Sequence, residues 1–297
     1  MFRRLTKKLE IPCTKGAGSC SQTFKYTSLD EGITRKMDIG TKHIEWNGAK
    51  QQEAIDILLG KGHMIVSPTK VGYIIMTSDV GGLKRKFSAK QRALNKPGVV
   101  LCGSMEQLRA LAQINDEIDD LYQKAWDDDI LIGCILPWKT NALTHIPGDG
   151  SREMMMDGRG TTCFVIRFGV PSEIIADELW RKHEKIVFAS SANPSGKGNS
   201  GRVAGIGQRI SDEADLVIGA DEFVRSIQPG TSEHTRYEQG VMVSMVDTQG
   251  EFIPAQKGNR LVQPGPIVIR KGLDINRILS MLSERFPSWD YRHGAYY

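Results

Sequence analysis

Cysteine is scarce in this chain, and what there is falls at positions that suit none of the usual staples. Five cysteines occur, at 13, 20, 102, 134 and 163, with no Cys-x-x-Cys pair and no histidine cluster beside them. That spacing excludes the common structural zinc motifs and gives no paired disulfide framework. Cys102, Cys134 and Cys163 sit in apolar runs, where a thiol behaves as a small buried hydrophobe. A reducing, cytoplasmic setting fits this usage best. Long apolar runs are missing too. The longest, Ile130 to Trp138, falls far short of the roughly 20 residues that span a bilayer. The opening Met-Phe-Arg-Arg-Leu-Thr-Lys-Lys leads into no apolar segment of the secretory kind. No membrane partner is expected.

Several catalytic signatures are also absent. There is no Gly-x-x-x-x-Gly-Lys-Ser/Thr phosphate loop and no Gly-x-Ser-x-Gly nucleophile turn. Asp127-Asp128-Asp129 is the only acidic run suggestive of a metal. Three consecutive side chains diverge, however, so no metal site is expected.

What is present is an ordinary globular composition. The 297 residues are 40% apolar, 25% charged and 7% aromatic. Charge is uneven along the chain. Residues 1–47 hold nine Lys or Arg against five Asp or Glu, which is the whole net excess of +4, and the remaining 250 are neutral. Residues 1–47 therefore read as a basic N-terminal extension, either a loose polyanion contact or a solvated tail.

From Gly48 onward the patterning sharpens. Helical periodicity is expected over 49–59, 105–113, 117–126, 173–183 and 275–286. Short apolar runs at 63–67, 99–102, 131–136, 163–167, 186–189, 241–246 and 267–270 read as strands. Helices and strands interleave without strict alternation, which predicts an α/β fold around a twisted mixed sheet. The segments divide into a body over 48–273 and a C-terminal helix and tail over 274–297. Two glycine-rich loops, at 147–160 and 191–207, are too long to be mere connectors. The second holds Gly196-Lys-Gly198-Asn-Ser-Gly201, which matches Gly-x-Gly-x-x-Gly. The residues after it make a poor helix, so a pliable basic flap is expected rather than a dinucleotide site.

The densest charge feature is Lys84-Arg-Lys-Phe-Ser-Ala-Lys90-Gln-Arg92-Ala-Leu-Asn-Lys96, with six cations in thirteen residues and no acidic residue between Asp79 and Glu106. Such crowding suits a phosphate, with arginine as a bidentate fork and lysine as a point charge. A solvated helix face is the other reading.

Five collinear segments resemble one family. Ser67-Pro68-Thr69-Lys-Val-Gly-Tyr73 looks like the Pro-Thr-x-Thr-Val-Tyr-Gly turn of the YrdC-like family. Lys90-Gln-Arg92-Ala-Leu-Asn-Lys96-Pro97 is similar to its Lys-Gly-Arg-Pro-x-x-x-Pro signature. Val165-Ile-Arg167 resembles its Val-Arg strand end, and Ala189-Ser-Ser191-Ala-Asn193-Pro-Ser-Gly196 its Thr-Ser-Ala-Asn-x-Ser-Gly. Val268-Ile-Arg270-Lys-Gly272 resembles the closing Ile-Leu-Arg-x-Gly.

The resemblance implies a single YrdC-like domain with a concave basic cavity. It implies a nucleotidyltransferase that makes L-threonylcarbamoyladenylate from L-threonine, bicarbonate and ATP, with Mg2+, for tRNA threonylcarbamoyladenosine modification. It places Lys90 and Arg92 as catalytic cations, and Lys90, Arg92, Lys96, Asn193 and Arg270 around the nucleotide. Thr69, Arg167 and Ser191 would face the amino acid. The chain departs from the pattern at Lys70, Val71 and Ile74, at Leu101 in place of a histidine, and at Cys163 in place of a threonine. These departures keep two alternatives open: a carbamoyl-adenylate enzyme using a different amine, and a non-catalytic RNA- or nucleotide-binding protein.

Overall fold

The computed structural model describes residues 42–91, 98–194, 196–232 and 235–292. Most of the basic extension, Cys13, Cys20, Arg92 and Lys96 lie outside the described residues. Within them the chain runs through β1 (Lys42–Glu45), α1 (Gln52–Leu59), β2 (Met64–Thr69), β3 (Gly72–Thr77), α2 (Val80–Lys90) and β4 (Val99–Leu101). It continues through α3 (Met105–Leu111), α4 (Asp116–Asp127), β5 (Ile132–Pro137), α5 (Arg152–Met155), β6 (Thr161–Ile166), α6 (Ser172–His183) and β7 (Val187–Ser191). The last elements are α7 (Gln208–Glu213), β8 (Leu216–Gly219), α8 (Asp221–Ile227), β9 (Val241–Ser244), β10 (Ile267–Arg270), α9 (Ile275–Arg285) and β11 (Asp290–Tyr291). Among the described residues no helix is long and apolar enough to cross a membrane.

The strands form one mixed sheet in the order β1-β8-β2-β3-β7-β4-β6-β5-β9-β10-β11. Parallel pairs such as β4–β6 and β5–β9 alternate with antiparallel ones such as β3–β7, β7–β4 and β5–β6. The mixed α/β sheet expected from the interleaved pattern is present. β1 falls inside the stretch read from the sequence as extension. It pairs in parallel with β8 from Lys42↔Leu216 to Glu45↔Gly219. Its sequence, Lys-His-Ile-Glu, carries one apolar residue, so an edge strand of this kind leaves no hydrophobic signal.

Period-2 alternation sorts the central strands onto two faces. Val100, Phe164, Phe188, Cys134, Val243 and Val268 point into a large core with α3, α4 and α9. α4 forms because Ile118, Leu121, Tyr122 and Ala125 make one buried stripe. Asn115 accepts from the Ile118 amide, and three acids in the first turn face the positive helix end. The Tyr122 hydroxyl donates to the Phe164 carbonyl at 2.8 Å and accepts from the Cys134 amide at 3.0 Å, fastening this helix to β5 and β6.

The opposite face carries Leu101, Val187 and Ala189, partly covered by Ala54, Ile55 and Leu58 of α1 and by Ile175, Ala176 and Leu179 of α6. On the same side Cys163, Met242, Ile135 and Ile269 form a smaller cluster. The helices leave part of this face uncovered, and the candidate site is built there.

All three described cysteines are buried. Burial pushes the Cys163 thiol up to about 12 and raises Cys102 and Cys134 as well. The thiolate is the reactive form, so in the native protein these three are expected to resist iodoacetamide at pH 8 and to react once denaturant is added. Because the folded pKa lies above the unfolded one, their contribution to stability is complete below about pH 8.5 and is lost as the pH climbs toward the folded value. Alkylation mapped by peptide mass spectrometry checks the prediction.

Candidate active site

The open part of the sheet face forms the floor of a cavity of 550 Å³, inside the range of small-molecule sites. Strands supply the floor and three irregular segments supply the walls. One wall is the tight connection between β2 and β3, where the Thr69 hydroxyl donates to the Gly72 carbonyl. Another is the glycine-rich stretch after β7. The third is the segment 236–240 that leads into β9.

Lys90 enters from the last turn of α2. Asp79 caps the start of that helix by accepting from the Gly82 amide at 2.8 Å, and Gln91 ends it in a left-handed conformation with φ 49°. Lys90 is 4% exposed. Its ammonium donates to the Ser191 carbonyl and lies 3.1 Å from Ser191 Oγ. Arg270 ends β10, and its Nε donates to the Gly240 carbonyl at 2.8 Å. Arg236 lines the cavity as a third cation. Among the described lining residues there is no carboxylate. The buried Ser190 Oγ and Asn193 Oδ1, both on the lining, have no hydrogen-bond partner. A buried polar atom left unpaired costs about 1–3 kcal/mol, and a polar ligand would recover it.

The basic run therefore divides. Lys90 reaches the cavity, whereas Arg85 is held by the Asp215 carboxylate at 2.7 Å and by the carbonyls of Gly62 and Glu213. Folding supplies the counter-charge that is missing from the local sequence.

Of the residues singled out from the sequence, Thr69, Lys90, Ser191, Asn193 and Arg270 line one cavity. Arg92 and Lys96 lie outside the described residues. Arg167 is not on the lining. Its guanidinium stacks 4.1 Å from the Trp126 ring, donates to the Trp126 carbonyl at 2.8 Å and meets Glu173 at 3.3 Å.

Sequence reasoning missed Asn199, Arg236, Tyr237 and Gln239. Their one local sign is the glycine spacing at 196–201. Gly198 and Gly201 have φ values of +75° and +71°, and a Cβ on either would collide with the side chain of Arg236 or Tyr237. The Tyr237 amide also donates to the Asn199 carbonyl at 2.9 Å. The glycines are there so that the two walls can meet. Gly201 leads into a short 3-10 turn over Val203–Ile206 rather than an α-helix, so the glycines lack the helix dipole of a dinucleotide fold. Among the described residues no cluster of three metal-ligating side chains occurs. Asp128 and Asp129 instead pair with Lys124 and Lys70.

Comparison with known proteins places these features in context. The family model Sua5_yciO_yrdC, described as telomere recombination, matches residues 58–231. A hypothetical protein, smu.1377c from Streptococcus mutans UA159, is 60% identical, with 86% of this chain and 99% of that one covered and a TM-score of 0.82. Sua5 from P. abyssi, solved with L-threonine, is 19% identical with a TM-score of 0.56, covering 82% of this chain and 61% of that one. YciO from E. coli is 17% identical with a TM-score of 0.54, covering 78% and 95%. At those identities Sua5 and YciO bear on the fold alone. No curated protein matches the chain.

Proposed function

The chain belongs to the Sua5/YciO/YrdC family, and from that premise we propose that its cavity joins ATP, bicarbonate and an amino acid into a carbamoyl-adenylate. The observation that carries this reading is the lining itself. Lys90, Arg236 and Arg270 converge on one cavity with no carboxylate among the described lining residues, beside the unpartnered Ser190 Oγ and Asn193 Oδ1. A polyanion with hydrogen-bonding edges satisfies both features.

In the proposed reaction the amine adds to bicarbonate, water leaves, and a carbamate forms. A carbamate oxygen attacks the α-phosphorus of ATP, the bond to the β-phosphate oxygen breaks, and pyrophosphate departs. No covalent bond to the protein is needed. Lys90 and Arg270 meet the charge that develops on the phosphates, and Arg92 and Lys96 are assigned to the same task. Asn193 holds the nucleotide. Thr69 and Ser191 face the amino acid, and Arg236 takes the carboxylate in place of Arg167, whose guanidinium is occupied elsewhere. With no carboxylate among the described lining residues, Mg2+ would enter on the nucleotide's phosphates, keeping its waters. The product is an activated carbamoyl group of the kind transferred to adenosine in tRNA. The crystal complex of P. abyssi Sua5 with L-threonine supports an amino acid as one substrate.

The test is pyrophosphate release by the full chain, with and without bicarbonate and amino acid. Release that requires both is expected. Release indifferent to bicarbonate would remove the carbamate step. Background release with retained, salt-sensitive tRNA binding would favour the non-catalytic reading.

A further inference from the structure

The cavity is amphipathic, and its apolar side has a definite address in the sheet. Leu101 on β4 is the register partner of Val165 on β6. Val165 pairs in turn with Gly133 on β5, and Gly133 with Met242 on β9. Three apolar side chains on adjoining strands thus form a row along the floor, with only a glycine between Val165 and Met242. Adjacent strands lie about 4.8 Å apart, so Val165 and Met242 stand about two strand spacings from each other, with Cys163 Sγ and a Val165 methyl leaning over the glycine between them. Val71, from the β2–β3 connection, packs against the same core cluster as Leu101 and also lines the cavity. None of these side chains offers a hydrogen-bond donor, and the one acceptor among them is the weak thioether sulfur of Met242. At the far edge the row meets charge, because Arg270 is the register partner of Met242.

We propose that the row formed by Leu101, Val165 and Met242, closed by Val71, is the pocket for the amine's side chain, and that the amine is an aliphatic α-amino acid of valine or leucine class rather than threonine. This rests on the reading of the cavity as a carbamoyl-adenylate site. With the α-phosphate at Arg270, the carbamate joined to it places the amino acid's side chain over the adjoining row. The adenine is farther away, separated from the phosphate by the ribose. A purine laid on this row would also bury ring nitrogens and an amino group against side chains that cannot pair with them, at a cost an aliphatic group escapes. A threonine hydroxyl would be left unpaired there in the same way. An apolar pocket discriminates between a methyl and an isosteric hydroxyl by about 100-fold at most, so a preference of roughly 10- to 100-fold for L-valine over L-threonine is expected.

The experiment measures calorimetric affinity of the full chain for L-valine, L-leucine and L-threonine with a non-hydrolysable ATP analogue and bicarbonate, alongside pyrophosphate release with ATP. The variants are Val71→Thr and Val165→Thr, alone and combined. Both residues are half-buried, and the exchanges keep shape and β-branching, so the fold should tolerate them. The wild type is expected to prefer valine or leucine in binding and release, and the double variant to lose at least tenfold of that preference with ATP-analogue affinity unchanged. Equal or tighter binding of threonine by the wild type would overturn the proposal. So would an unchanged preference in the double variant, or a loss confined to analogue affinity, which would assign the row to the base. Absence of binding by any amine would overturn it as well. Selective aliphatic binding with background release under every condition would support the pocket while sinking the proposed reaction, so the two failures are separable.

Discussion

Replacing Lys90 with methionine is expected to lower amine-dependent pyrophosphate release by about 10²- to 10³-fold, the usual cost of removing a preorganised charge from a developing anion. The side chain is nearly buried and its ammonium is anchored to the Ser191 carbonyl and hydroxyl. A cation that is nearly buried is already desolvated, and its anchor on Ser191 orients it, which is what makes it effective toward phosphate. Methionine keeps the stem volume, so no cavity opens, and unpairing Ser191 costs about 1 kcal/mol. The check is release kinetics together with a chemical denaturation curve. A variant that folds and retains release within threefold of wild type would remove Lys90 from the machinery.

The second large effect is on stability. Gly272 follows β10 at a point where a Cβ would overlap the carbonyl oxygen of Gln239 and crowd the backbone of Gly240. The neighbouring Leu273 amide donates to that same Gln239 carbonyl at 2.8 Å, so the two chain segments are fastened back to back. Gly272→Ala is expected to destabilise the protein by about 3 kcal/mol, the upper part of the range for overpacking, because the obstacle is backbone rather than a side chain that can turn away. The strain falls on the Gln239–Gly240 wall, and Gly240 supplies the carbonyl that orients Arg270. Nucleotide affinity should therefore weaken in the same variant. A denaturation midpoint equal to wild type would contradict the close approach.

The glycine at 272 also shows why part of the site was legible beforehand. Five collinear segments mark the resemblance, and all five carry residues that line one cavity: Thr69, Lys90, Val165, Ser191 with Asn193, and Arg270. Thr69, Ser191, Asn193 and Arg270 are singled out by the resemblance alone, and only the crowded charge around Lys90 is visible without it. Arg236 and Tyr237 carried no such signal. They sit in a segment without regular structure, and only the fold brings them against Gly198 and Gly201, 38 and 36 positions earlier.

The same contrast runs through the fold. Strands β5, β6, β7 and β10 are apolar runs between breakers and could be read directly. β3 is fully buried, but the connection before it, Lys70-Val71, lacks the Asn-Gly or Asp-Gly chemistry that announces a hairpin. α2 was hidden by two glycines in its first turn and by its charge. Its polar residues are accommodated because Lys86 and Lys90 are buried and Arg85 finds Asp215 across the chain. Arg167 illustrates the opposite error. Its segment resembles the family's strand end, yet a left-handed backbone at φ 53° and the stack on Trp126 occupy the guanidinium away from the lining. A spacing rule cannot anticipate that.

A cavity that builds a carbamoyl-adenylate is tested most directly by its product. The full chain would be incubated with ATP, Mg2+, 13C-labelled bicarbonate and an amino acid, and the nucleotide pool read by mass spectrometry. An adenylate carrying both the amino acid and the label, absent without bicarbonate and lost in Lys90→Met, is the predicted result. Unlabelled AMP and pyrophosphate, or unchanged ATP with every amine, would contradict carbamoyl-adenylate formation.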